Sequence, residues 1–319
     1  MHRYPKLAIR SKNELAKRIS GKNFSQSDAL ALINDVLANY DGYWRDSKSS
    51  QPEKGKFVRN AKGKPLGRLL KLIDKRVLAP HDRLVPDFIF GGVSGKDHVQ
   101  AAYHLLGKKR QRTLLGLDIS SFFERIKEER VFYFFWAKCG CSVPAARLLA
   151  RLCCVPLGPK GSPSIQKSIG RGFATSTRLA LWCNLDLFLR VSWSAKRHFK
   201  GHDPRVAIFV DDIGITASRV SREVVEEFSL KIESMFNDQA LPINAAKKKI
   251  RSTAQGMQHL GLKLGRNRIS PGSKTAARMA HVRNELKKSK SRAERNRLLQ
   301  KSNAYYAYKK HIKEVATTR

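Results

Sequence analysis

The chain has 319 residues, of which 41% are hydrophobic and 28% charged. That balance excludes a disordered polymer, and no apolar run reaches the ~18 residues that a membrane-crossing helix needs. Lys and Arg number 63 against 26 Asp and Glu, a net charge of +37, which repels itself and calls for a polyanionic partner; a phosphate backbone answers it, since each phosphate contact also releases counterions.

The opening residues, MHRYPKLAIRSKNELAKRIS, contain no apolar core of a secretory signal, so a cytoplasmic protein is expected. Residues 24–40 carry apolar side chains at three- and four-residue spacing behind Ser25 and Ser27, either of which can cap a helix. Residues 46–68 are polar, basic and rich in turn formers, and predict a loop or hairpin. A helical pattern returns over 66–79 and ends before Pro80. FIFGGVSGKD (88–97) is glycine-rich but lacks the GK[ST] ending of a phosphate-binding loop. Residues 100–106 predict a helix, and TLLGLDISSFF (113–123) predicts a buried strand that ends in an acid.

Two helices broken near Gly140 are expected over 126–153, a Gly/Pro/Ser/Lys loop over 155–172 and one long apolar helix over 173–191. VAIFVDDIGITAS (206–218) predicts two strands flanking the pair Asp211-Asp212. An amphipathic helix follows over 221–237, a strand or loop over 241–250, a short strand over 259–265, and basic helical sequence from Pro271 onward. The five cysteines have no paired CxxC spacing, and are expected to be buried free thiols.

Acids are scarce here, so acids set in apolar β-runs stand out. Asp118 ends one such run and Asp211-Asp212 form the turn of another. A carboxylate beside a core strand is costly unless it is paired or binds a cation. Two or three carboxylates brought together suit a hard divalent ion, and two such ions ~3.5–4 Å apart serve phosphoryl transfer. A bare Asp-Asp pair is far more often an ordinary hairpin turn, and the weight here comes from the further motifs that appear in order.

The order of further motifs resembles one family. Asp118-Ile-Ser-Ser-Phe-Phe-Glu-Arg-Ile resembles the first palm motif of bacterial reverse transcriptases, D-I-x-x-F-F-x-x-I. Phe209-Val210-Asp211-Asp212 resembles their Y-x-D-D hairpin, Asn244-Ala-Ala-Lys247 the N-x-x-K element, and Leu260-Gly261 the primer-grip strand. Phe90-Gly-Gly-Val and Gln100-Ala101-Ala-Tyr-His104 are similar to elements that precede the palm. Of two segments similar to the intermediate Q-G-x-x-x-S-P-x-L-A motif, Pro156 to Ser164 and Gly170-Arg171-Gly172 through Ser176 to Leu179-Ala180, the second keeps the Gly-to-Ser spacing and the Leu-Ala ending and is taken as the motif, which makes the first an insertion. Phe209 stands where the family has Tyr, Arg171 where it has Gln, and His259-Leu-Gly where retron enzymes have V-T-G. The resemblance, over about residues 50–265, is to compact, divergent reverse transcriptases of anti-phage defence.

This resemblance implies an α+β right-hand polymerase, with an N-terminal helical segment (1–44), fingers (45–112), an RRM-like palm of antiparallel sheet plus helices (113–267) and a basic helical thumb (268–319). It implies RNA-directed DNA synthesis from dNTPs on an RNA template or structured noncoding RNA, giving a DNA product. Two Mg²⁺ ions, replaceable by Mn²⁺, would be held at Asp118, Ile119, Asp211 and Asp212, with the three aspartates catalytic. Arg59, Lys64, Ser120, Ser121, Phe122, Phe123, Arg171, Gly172 and Lys247 would contact the nucleotide, and Phe209, Val210, Leu260 and Gly261 the primer and template. Phe123 falls at the sugar-gate position, where a ring excludes a ribose 2′-hydroxyl. A homo-oligomer is left open. So are a template-independent or RNA-making polymerase on the same palm, and an inactive nucleic-acid-binding scaffold.

Overall fold

Seven residues of β-prone sequence, Arg112–Asp118, run through the centre of a sheet in the computed structural model, which describes residues 4–109, 111–266, 268–289 and 291–317. The outermost residues of the first and last expected segments, 1–3 and 318–319, lie outside the described residues. Helices and antiparallel sheets make the fold α+β. The chain divides into two units, Met1–Asp87 with Gly91–Gly95 and Ser120–Leu187, and Phe88–Phe90 with Lys96–Ile119 and Phe188–Arg319. The stretch 113–267 is thus shared between both units, and the division falls inside the Asp118 motif, between Ile119 and Ser120.

The first unit is mainly helical. Ser11, Ser25 and Ser142 cap the helices Lys12–Ile19, Gln26–Ala38 and Val143–Cys153 through their side-chain oxygens. Ser25 and Asp28 complete a capping box. Leu15, Ile19, Ile33, Leu69, Leu70 and Ile73 are fully or almost fully buried, placing one apolar face of each helix in the core. The basic stretch after residue 44 is a hairpin: Arg45–Asp46 pairs with Arg59–Asn60. Arg178 crosses the unit's interior and is held by Asp74, Asp82 and the Ser94 hydroxyl. That network satisfies a charge which would otherwise be buried alone.

The second unit is built on a four-stranded antiparallel sheet with the order Arg205–Phe209, Asp212–Ser218, Arg112–Asp118, Lys249–Ser252. The helix Arg222–Asn237 turns Val225, Phe228, Ile232 and Phe236 inward, and packs on two of these strands. A three-stranded sheet, Met257–His259, Leu262–Leu264 and Ile269–Pro271, leads into the helices Ser273–Lys288 and Arg292–Thr317. Met257, Leu262, Leu264, Ile269 and Ile312 share one core cluster with Leu105 and Leu114, so the last helix is part of this unit's core.

Three local expectations are revised. Residues 155–172 are not all loop: Cys154–Pro156 and Lys167–Ile169 pair as a ribbon. The apolar run 173–191 is two helices, Ser176–Cys183 and Leu185–His198, interrupted at Asn184, whose side-chain amide donates to the Ala180 carbonyl at 2.8 Å. The 66–79 helix is α-helical only over Pro65–Ile73, and continues as a π-turn over Asp74–Leu78. The cysteines form no disulfide; four are buried and Cys183 is partly so.

Candidate catalytic site

The site of the second unit is assembled by backbone before any side chain matters. Phe209 pairs with Asp212, so Val210 and Asp211 form a two-residue turn. Val210 has φ +60, as primed hairpin turns demand. A β-branched residue adopts that conformation only at a cost of about 1–3 kcal/mol, the kind of strain concentrated at functional turns. The Ile119 N–H donates to the Asp211 carbonyl at 3.0 Å, and the Asn244 N–H to the Asp118 carbonyl at 2.8 Å. A bridge between Ile119 and Ile243 adds to these ties. The three segments singled out in the sequence therefore meet at one end of the sheet.

In this register Asp118 lies directly opposite Asp212 on the neighbouring strand. Burial, then the charges of Asp211 and Asp118, push the Asp212 carboxyl up to about 6, against the opposing pull of Lys247 and Lys249. Lys247 donates to Asp118 Oδ1 at 2.7 Å, and this bond, with the nearby carboxylates, raises its own pKa. The ammonium is half exposed, its side chain 52% accessible against 13% for Asp118.

A cleft of about 370 Å³ opens beside the carboxylates. Gly116, Asp118, Asp212, Lys247 and Lys249 line one part of it; Gln258 to Gly261 and Gly272 to Thr275 line the rest. Leu260 and Gly261, expected at the primer, are thus in the same cleft as Asp118 and Asp212. Phe209 packs against the core cluster, edge-on to His98 with ring centroids 6.2 Å apart.

Sequence reasoning missed His259 as a part of this site. Its ring is 7% exposed, with Nε2 buried and unpartnered. Burial, with a smaller contribution from Lys249, lowers its pKa to about 4 and keeps it neutral. Gly214 lies opposite Gly116 in the sheet. A Cβ on Gly214 would come within 2.8 Å of His259 Nε2 and 2.5 Å of Leu105 Cδ1, so the glycine makes room for the ring. The sequence signal was the His itself, standing in place of a smaller residue before Leu260-Gly261.

The other expected residues lie in the first unit. Ser121 has φ +49 and starts the four-residue helix Phe122–Arg125. Phe122 is 1% exposed and Phe123 9%, their rings edge-to-face at 5.9 Å. Arg171 forms a fork with Glu124, Nε to Oε1 at 2.9 Å and Nη2 to Oε2 at 3.0 Å, while its guanidinium lies 4.8 Å from the Phe123 ring centre. Gly172 is exposed with φ +96. Arg59 is 5% exposed; its guanidinium pairs with Asp46, donates to the Pro156 and Gly158 carbonyls, and stacks on Trp44 and Phe57. Lys64 is exposed just before the helix Pro65–Ile73, and Ser120 is partly exposed. Arg59 is therefore committed within the unit, whereas Lys64 stands in solvent.

Among the described residues, no group of three or more His, Cys, Asp and Glu side chains is gathered closely enough to hold a metal ion. The donor chemistry nonetheless suits a hard divalent cation: burial and then the charges of Asp211 and Asp118 raise Asp212, and a lysine supplies positive charge to Asp118. A scan against protein-family models finds no match, and neither does a search of curated proteins.

Proposed function

We propose that this protein is an RNA-directed DNA polymerase of the reverse-transcriptase type, with a right-hand arrangement whose palm centres on the Arg112–Asp118 strand and the Asp211-Asp212 hairpin. The observation that carries the reading is the juxtaposition of Asp118 with Asp212 beside a strained turn holding Asp211, where burial and then the two neighbouring carboxylates push Asp212 up to about 6. Carboxylates so placed are poised to exchange a proton or a lysine for divalent cations. Asp118 and Asp211 would hold these ions, with Asp212 beside them; bound there, they supply charge neutralisation at the reacting phosphate and a more nucleophilic primer oxygen.

The chain's own residues do the rest. The cleft floor at Gly116 admits a backbone close to the carboxylates. Leu260 and Gly261 seat the primer terminus, and the lysines at 247 and 249 offset phosphate charge. Phe123 guards the 2′ position of the incoming sugar, and Phe122, the more buried ring, packs the core. Lys64 is the better candidate for a triphosphate contact, since Arg59 is engaged elsewhere.

The test is extension of a DNA primer on an RNA template by the purified protein in Mg²⁺ or Mn²⁺. The wild type should incorporate dNTPs, and Asp211→Asn should lose incorporation by at least about 10³-fold while its melting temperature and RNA binding stay within the wild-type range. Robust synthesis by Asp211→Asn would sink the assignment. Synthesis from ribonucleotides alone, or without template, would replace it with an RNA-making or template-independent polymerase on the same carboxylates.

A further inference from the structure

We infer that Arg171 and Glu124 are positioning residues for sugar selection: their two-pronged ion pair holds the Arg171 guanidinium over the Phe123 ring and so fixes where that ring stands. The inference rests on the reading of Phe123 as the residue that senses the 2′-hydroxyl.

Phe123 belongs to a helix of four residues, Phe122–Arg125. So short a helix has no cooperative stiffness of its own, and it starts from Ser121 in the left-handed region. The ring must therefore be located by its neighbours. Phe122 supplies one, edge-on at 5.9 Å. The Arg171 guanidinium supplies the other at 4.8 Å, close enough for cation–π attraction.

Arg171 is itself held at both ends. Its side chain makes the two hydrogen bonds to Glu124, at 2.9 and 3.0 Å, and Glu124 is the residue next to the ring it helps to place. Its main-chain carbonyl accepts from the Arg59 N–H at 2.6 Å. A Cβ at position 172 would meet the Arg59 carbonyl at 2.7 Å, so glycine is needed for the two segments to approach. Arg59 is anchored in turn by Asp46 and by the Pro156 and Gly158 carbonyls. A continuous set of contacts thus runs from the Arg45–Asn60 hairpin through Arg171 to Phe123.

An ordinary surface ion pair is worth little. This one is about four-fifths buried on both sides, at 21% and 20% side-chain exposure, and carries a ring against it. Its geometry is one only arginine can supply, because lysine neither forks nor stacks. A glutamine at 171 would also leave Glu124 without its charged partner.

The experiment measures kcat/KM for rATP and dATP on one primer–template, for the wild type, Phe123→Ala, Glu124→Gln, Arg171→Lys and the exchange variant Glu124→Arg/Arg171→Glu. Glu124→Gln and Arg171→Lys should each shift the ratio toward rATP by about tenfold. The exchange variant restores the opposite charges but places no guanidinium above Phe123 from position 171. It should regain the melting temperature that the single variants lose without regaining the ratio. If both single variants lower the two activities equally, or if the exchange restores the ratio, the pair is merely structural and the inference fails while the gate at Phe123 stands. If Phe123→Ala leaves the ratio unchanged, the gate is misplaced and the inference falls with it.

Discussion

Lys247 reaches Asp118 at 2.7 Å and so provides, within the chain, the positive charge that a cation would bring. Removing it should have opposite effects on two measurements. Lys247→Met should tighten Mn²⁺ binding to the nucleotide-free protein, by about threefold to tenfold in a paramagnetic titration, because a competing charge at effective dielectric ~20 is lost. On the proposed function it should weaken nucleotide incorporation, because the same ammonium would offset phosphate charge there. Unchanged Mn²⁺ affinity would show that the lysine does not compete. Asp212 adds a pH dependence. Its folded-state pKa of about 6 exceeds the ordinary 3.8, so the folded protein holds an extra proton between these values. Apo stability gains from that proton as pH falls from 6 to 4, whereas Mn²⁺ binding, which needs the carboxylate ionised, should weaken over the same range. His259 acts in the contrary sense. Its pKa is lowered from 6.5 to about 4, so the unfolded chain takes up the proton first and stability is lost as pH falls from 6.5 to 4, by about 3 kcal/mol at the limit. Because the two oppose each other, denaturant melts of wild type and His259→Phe should be subtracted; the stability of the variant relative to wild type should rise as pH falls from 6.5 to 4, and a flat difference would refute a neutral buried His259.

At the scale of elements, the C-terminal helix Arg292–Thr317 serves two ends. Ile312 is 5% exposed and lies in the second unit's core. Tyr308 hydrogen-bonds His98 at 3.1 Å and stacks on its ring, and His311 bonds Asp97 at 2.6 Å. Of the three tyrosines in this helix, Tyr308 packs inward, while Tyr306 is 59% exposed near Arg283. Deleting the helix would therefore expose a core as well as remove charge. The cleaner test replaces the exposed Lys309, Lys310 and Lys313 with glutamine. If the outer face meets phosphates, the slope of log K against log[salt] for RNA binding should flatten by about one unit per lost contact, with the melting temperature unchanged. The same slope as wild type would show that this face touches no phosphate. In the sheet, Gly214→Ala should cost stability and displace the His259 ring, since its Cβ finds His259 and Leu105 within 2.8 Å, whereas Gly116→Ala meets nothing nearer than 3.8 Å and should be tolerated in the apo protein.

For the molecule as a whole, the charge of +37 predicts that nucleic-acid affinity of any sequence falls steeply with salt. The charge is not evenly spread. The helix Arg222–Asn237 carries Glu223, Glu226 and Glu227 on exposed positions, so the surface that meets phosphate is expected elsewhere. No described helix is long and apolar enough to cross a membrane.

Periodicity and turn chemistry were enough, from sequence alone, to place the Arg112–Asp118 strand, the Asp211-Asp212 hairpin and the helix Arg222–Asn237, because each is specified by contacts close in sequence or by an unbroken apolar pattern. The acids stood out as a candidate site for the same reason: a carboxylate inside an apolar β-run has no cheap explanation. Pairing register was not legible, since a slip of one residue turns every side chain to the opposite face; only the folded sheet sets Asp118 against Asp212. Nor could sequence foresee that Asn184 interrupts an apolar helix, since its side chain bonds a carbonyl that only a formed turn presents. The partners of the arginines were hidden for the same cause. Arg59 and Arg171 look alike as cations in a basic chain, and what separates them from Lys64 is a set of contacts from residues as far away in sequence as Asp46, Glu124 and Pro156, which tertiary structure alone brings within hydrogen-bonding distance.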